Sequence, residues 1–105
     1  MIKRVKRRYL LLKIDSALPV EEGDLKDTVW NSITKLFGEY GASQAGLFFV
    51  KFDRERKEAV LRCSLNALGM VHASIASITR IRNEPTGVHV LRISGTIRAL
   101  SRKSV

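Results

Sequence analysis

The spacing of apolar side chains switches between two periods along this chain, and the order of the switches limits the fold more than any single motif does. Residues 5–14 alternate, with Leu10, Leu12 and Ile14 on one face and Arg7, Tyr9, Leu11 and Lys13 on the other. That period of two predicts a strand. Asp15 to Val20, with Pro19 inside it, reads as a connection. Leu25, Val29, Ile33 and Leu36 then recur at helical spacing, and Trp30 and Phe37 widen the stripe. Glu21, Glu22, Asp24 and Asp27 crowd the opening turn, where negative charge suits the positive end of a helix dipole. Gly38 and Gly41 mark the stop.

Gly46 to Phe52 is a short apolar run, and Lys57 to Ser64 alternates around Ala59, Leu61 and Cys63. The charged Asp53-Arg54-Glu55-Arg56 between them predicts a hairpin. Residues 65–81 return to helical spacing through Leu68, Val71, Ile75 and Ile78. Pro85-Thr86-Gly87 reads as a break, and Val88 to Ile97 alternates as a last strand. Its Leu91, Ile93 and Ile97 oppose Arg92, Ser94, Thr96 and Arg98. The order is therefore β-α-β-β-α-β. Right-handed crossovers and short connections leave few topologies for that order. The expected fold class is α+β: a ferredoxin-like sandwich, a four-stranded antiparallel sheet with two helices on one face. In it the first strand lies between the third and the fourth. A chain of 105 residues matches one such domain, 1–105, with short basic ends at 1–8 and 99–105.

Strand order gives the charge distribution its meaning. The formal net charge is +9 at pH 7, but residues 1–13 carry six bases and no acid, and residues 85–105 carry four bases and no acid. Residues 14–84 hold nine bases against ten acids. An antiparallel fourth strand beside the first brings Lys3 to Arg8 against Arg98 to Lys103, with Arg62 from the third strand alongside. The expected patch is Lys3, Arg4, Lys6, Arg7, Arg8, Tyr9, Arg62, Arg92, Arg98, Arg102 and Lys103. Unrelieved positive charge binds phosphates by counterion release, and arginine adds bidentate and stacking geometry. Nucleic acid is the expected partner; no apolar run approaches the roughly 18–20 residues of a membrane span. The apolar stretch Tyr9 to Leu12 is also too short for a signal-peptide core. One cysteine makes no intramolecular disulfide, which points to a reducing, intracellular setting.

Catalytic and metal chemistry find little support. The acids at the helix start are explained by the dipole, and no second group converges with them as an acid/base pair would. Cys63, His72 and His89 lack the four-ligand spacing of a zinc site. Cys63 reads as a buried small hydrophobe, and the two histidines as structural or surface residues. The glycines at 38, 41 and 46 fit no phosphate-loop pattern. No metal and no cofactor is expected on the protein itself. The third strand, Lys57 to Cys63, has no aromatic residue, so only Tyr9 is expected to stack on a base. Recognition of RNA backbone and shape is expected instead. Trp30, Phe37, Tyr40, Phe48 and Phe49 exceed what a narrow core stripe needs, which leaves open a protein-binding surface or surplus core packing.

Four segments stand in a familiar order. Arg8-Tyr9-Leu10-Leu11 opens the first strand, and Gly38-Glu39-Tyr40-Gly41-Ala42 follows the first helix. Leu61-Arg62-Cys63 lies in the third strand, and Ser94-Gly95-Thr96-Ile97-Arg98 in the last. Together they resemble the ribonuclease P protein component 2 family of archaea and eukaryotes. The resemblance implies a ferredoxin-like fold and a non-catalytic subunit of the ribonucleoprotein that removes the 5′ leader of precursor tRNA. It implies an RNA subunit that performs the cleavage with Mg2+, a TIM-barrel-like protein partner, precursor tRNA as the shared substrate and the capacity to form a homodimer. It also implies a cytoplasmic location in an archaeon or a nuclear one in a eukaryote. Arg8, Tyr9, Arg62 and Arg98 match family positions; the other basic residues of the patch come from charge placement alone. Two other readings stay open: a general structured-RNA-binding or ribosome-type module, and an assembly subunit that meets RNA only through a protein partner.

Overall fold

A computed structural model describes residues 6–101. The chain runs β1 (Arg7–Ser16), α1 (Glu22–Gln44), β2 (Phe48–Asp53), β3 (Glu58–Ser64), a single 3-10 turn at Leu65–Ala67, α2 (Leu68–Ala76), β4 (Arg80–Ile81), β5 (Glu84–Ser94) and α3 (Ile97–Ser101). The strands form one antiparallel sheet in the order β2-β3-β1-β5-β4. As expected, the first strand lies between the third and the last long strand.

One face of the sheet makes the core. Leu10, Leu12 and Ile14 of β1 lie beside Ala59, Leu61 and Cys63 of β3, all almost wholly buried. Leu25, Val29 and Ile33 of α1 and Val71 and Ile75 of α2 close over them. Each large aliphatic side chain buried this way contributes about 1.5–3 kcal/mol. The two helices are also tied directly, because the Ser32 hydroxyl donates to the Ser74 carbonyl at 2.7 Å and lies 2.8 Å from the Ser77 hydroxyl. Leu36, expected on the buried stripe, is instead exposed, although its spacing keeps it on the face of Leu25, Val29 and Ile33. At Gly38 the backbone leaves helical geometry (φ 76°, ψ 168°), which glycine tolerates at little cost. The helix restarts immediately and delivers Ala42 and Ala45 to the core.

The sheet has five strands and three helices, not the expected four and two, and both differences arise near the C-terminus. Arg82 and Asn83 take positive φ (50° and 66°), making a two-residue turn of the primed kind that joins β4 to β5. Pro85-Thr86-Gly87 is thus not a break but the start of the long strand. Pro85 stands opposite Arg80 in the short β4, at the sheet's margin where a missing N–H is tolerated. Further along, Leu11 faces Arg92 while Leu12 faces Val90, so Leu91 is an extra residue bulged out of the ladder. The bulge inverts the alternation. Val88 and Val90 supply the core contacts expected of Leu91 and Ile93, which are 55% and 39% exposed. The strand ends at Ser94, and Ile97-Arg98, expected within it, opens α3.

Candidate nucleic-acid interface

Register decides which side chains share the open face, opposite α1 and α2. Residues of β1 that alternate with the buried Leu10 and Leu12 lie there: Arg7, Tyr9, Leu11 and Lys13. Their neighbours in β3 are Ser64, Arg62, Val60 and Glu58, and Tyr9 and Leu11 also face Ser94 and Arg92 of β5. In β2, Phe48 stands opposite Arg62 and Lys51 opposite Val60.

Of the expected patch, Lys6, Arg7, Arg8, Tyr9, Arg62, Arg92 and Arg98 are described, and antiparallel pairing gathers Arg7, Arg8, Tyr9, Arg62 and Arg92 at one end of the sheet. Lys3, Arg4, Arg102 and Lys103 lie outside the described residues. Lys6 and Arg7 are exposed at the start of β1. Arg8, beside Cys63, falls on the helix-covered side, and its guanidinium donates to the Arg7 carbonyl at 2.8 Å. Arg62 places its guanidinium carbon 4.8 Å from the centre of the Phe48 ring, within cation–π range. Its Nε is closed off from solvent without a hydrogen-bond acceptor among the described residues.

Arg98 is not on a strand; it is an exposed residue of α3. The Gly95-Thr96-Ile97-Arg98 segment is a helix start. The Thr96 hydroxyl accepts from the Ala99 N–H at 3.2 Å, in the manner of an N-cap, and the Ser94 hydroxyl accepts from the Thr96 N–H at 3.2 Å. The short helix lies against β1 and β5. Arg92, on the open face, donates to the Ala99 carbonyl at 3.3 Å. Leu100 is 5% exposed yet stands apart from the core cluster under α1 and α2. Helix α3 therefore lies over the β1–β5 part of the open face, and the row Tyr9, Arg62 and Phe48 runs from β1 outward across β3 to β2. A lone Thr followed by Ile-Arg-Ala-Leu was the available signal for this helix. Phe48 was also missed, because in the run Leu47-Phe48-Phe49-Val50 no alternation tells which aromatic faces out.

The opposite end of the sheet is electrostatically closed. Glu21 pairs with Arg54 at 2.9 Å, Asp24 with Arg82 at 3.1 Å and Glu22 with Lys26 at 3.0 Å. The acids at the start of α1 thus meet bases from the β2–β3 and β4–β5 turns as well as the helix dipole. Each such surface pair contributes about 0–1 kcal/mol, but together they cancel the local field.

The remaining candidates are inert by placement. Cys63 is fully buried, and burial pushes its thiol up from 9.0 to about 11, so little reactive thiolate exists near neutrality. His72 and His89 are exposed and flank a shallow cleft between α2 and β5. No group of three or more His, Cys, Asp or Glu placed to hold a metal ion occurs among the described residues. Among those residues no helix is long and apolar enough to cross a membrane.

Comparison with known proteins shows the family. The chain is 31% identical over 100 residues to ribonuclease P protein component 2 of Pyrococcus furiosus, covering 95% of this chain and 83% of that protein. It is 33% identical to the protein of the same name from Methanosarcina barkeri, covering 95% and 73%. Among solved structures, a chain of the yeast ribonuclease MRP assembly superposes with a TM-score of 0.76 over 100% of this chain and 83% of its own length, at 17% identity, a likeness of fold. The model of the Rpp14/Pop5 family matches residues 8–105, and the chain belongs to that family.

Proposed function

We propose that this chain is a non-catalytic protein subunit of a ribonuclease P ribonucleoprotein, and that the basic end of its sheet contacts the RNA. The fold is read as a ferredoxin-like sandwich elaborated by the β4–β5 hairpin and by α3. The observation that carries the proposal is the meeting of the β1 start with the ends of β3 and β5 in a chain of this family. No acid occurs in residues 6–14, 59–64 or 85–94, so the three converging strand ends carry charge of one sign. Phosphates crowded in a folded RNA repel one another, and cations fixed on a rigid sheet relieve that repulsion. On this reading the RNA subunit performs the Mg2+-assisted cleavage of precursor tRNA and the protein stabilises its active form.

A second surface favours a protein partner. Trp30, Phe37 and Tyr40 on α1 are 45%, 43% and 79% exposed, more aromatic surface than a solvated helix needs. A TIM-barrel-like ribonuclease P subunit or a second copy of the chain is the occupant that the family reading supplies. Reconstitution tests the whole proposal. Precursor-tRNA cleavage by the RNA subunit is measured with and without this protein and its partner; no gain on adding it overturns the assignment. Competition by unrelated structured RNAs at equal affinity favours the general RNA-binding module instead.

A further inference from the structure

The row Tyr9, Arg62 and Phe48 crosses three adjacent strands of the open face, from β1 beside α3 outward to the edge strand β2. We infer that this row is a stacking site for an unpaired nucleobase of RNA, with flanking phosphates held by Arg7 and Lys51. The inference rests on the RNA-facing reading above and adds to it a defined single-stranded subsite.

Three observations converge on this class of ligand. Phe48 begins β2, the outer strand of the sheet, and its ring remains 54% exposed even with the Arg62 guanidinium over it. An exposed aromatic already stacked by a cation presents a flat, electron-rich platform at a sheet margin, and every base has a π-face to match it. Arg62 enters no ion pair among the described residues, so its charge is not offset by an acid of the protein there. Cross-strand neighbours sit about 5 Å apart, which places Tyr9 and Phe48 on either side of Arg62 within the span of one nucleotide and its neighbour.

The cations flank this row. Arg7 and Lys51 are both exposed and both on the open face, Arg7 opposite Ser64 and Lys51 opposite Val60. An apolar protein surface gains nothing from a guanidinium and two exposed cations around one ring, whereas a nucleotide uses all of them. The usual sheet-bound RNA modules set their aromatics in the first and third strands. Here the third strand supplies Arg62 and the second supplies the ring, so the pattern is displaced by one strand and invisible to a motif search.

The experiment uses the full chain and two probes: a ten-nucleotide single-stranded RNA bearing one 2-aminopurine among uridines, and a ten-base-pair RNA duplex. The expected result is quenching of 2-aminopurine on binding. Phe48→Leu should weaken single-strand affinity about 5- to 100-fold, the loss expected for one aromatic stack, while duplex affinity stays unchanged. Phe48→Trp should retain both affinity and quenching, which shows that a ring rather than bulk is required. Arg7→Ala should weaken both probes. Equal weakening of both probes by Phe48→Leu, or no effect on either, overturns the stacking site while leaving the RNA-facing reading intact. A chain that binds neither probe overturns that reading and the stacking site with it.

Discussion

At the Ser16 end of β1, Glu21 meets Arg54 and Asp24 meets Arg82, and two tight turns draw the strands together. At the Arg7 end, Lys6, Arg7, Arg62 and the half-exposed Phe48 stand side by side, and residues 6–14, 48–52, 59–64 and 85–94 around them carry no acid. The two ends share a sheet, a core and a similar number of bases. They differ in that carboxylates at the start of α1 pair with bases at the Ser16 end. Surface ion pairs add little to stability, so the closed end is not closed for strength. Its pairs offset opposite charges there, and on the proposed reading the attraction for a polyanion comes from the other end.

The comparison can be broken or sharpened by substitution. The largest effect is expected at what both ends share: Leu61→Ala empties a fully buried position between β1 and the helices, and should cost about 2–5 kcal/mol. Chemical denaturation followed by helix signal reads it. A cost below about 1 kcal/mol would mean the sheet does not pack as described. Beneath the basic end, Cys63 reports how dry the interior is. Its folded thiol ionises only near 11 while the unfolded one ionises near 9.0. The unfolded chain therefore loses its proton first, and stability falls as pH rises between those values, with no effect below 9.0. Comparing wild type with Cys63→Ala across that window isolates the slope, and identical slopes would place water at the thiol.

Arg7→Ala and Arg54→Ala set the two ends against each other directly. Arg7→Ala should lower affinity for ribonuclease P RNA several-fold and reduce the dependence of log affinity on log salt by about 0.7–0.9, one phosphate's worth. Arg54→Ala should change neither. Equal effects at both ends, or a binding constant indifferent to salt, would erase the distinction. Thr96→Ala removes the cap of α3 and should loosen that helix by about 1 kcal/mol. Faster amide exchange at residues 97–101 with unchanged exchange in β1 and β3 is the expected readout. The smallest effect belongs to the closed end, where Arg54→Ala and Arg82→Ala should each cost about 0.5 kcal/mol or less in stability.

Much of the fold was legible in the amino-acid sequence. The stripes Leu10-Leu12-Ile14, Ala59-Leu61-Cys63, Leu25-Val29-Ile33 and Val71-Ile75 are buried where their spacing places them. Burial of one face is a strong, repeated signal, and a one-residue slip would expose every member of a stripe. Near the C-terminus and at the sheet edge, the failures fall where a single residue changes the rule. Leu91 bulges and inverts the alternation of β5; Arg82 adopts a left-handed conformation seldom chosen for that side chain; Thr96 turns an apparent strand into a helix. None of these leaves a periodic trace. The same is true of Phe48, whose neighbours Leu47, Phe49 and Val50 are all apolar.

The sequence by itself determined the order of the four long strands and two long helices, most of their buried faces and the placement of unrelieved positive charge at the chain's two ends. These follow from local spacing and composition, which need no knowledge of what lies across the sheet. Tertiary structure decided which charges act together. Antiparallel pairing brought Arg7, Arg62 and Arg92 to one end, ion pairs offset charges at the other, and α3 folded back over part of the open face. The physical reason is that charge acts through distance, and residues 7, 62 and 92 become neighbours only when β1 takes its place between β3 and β5.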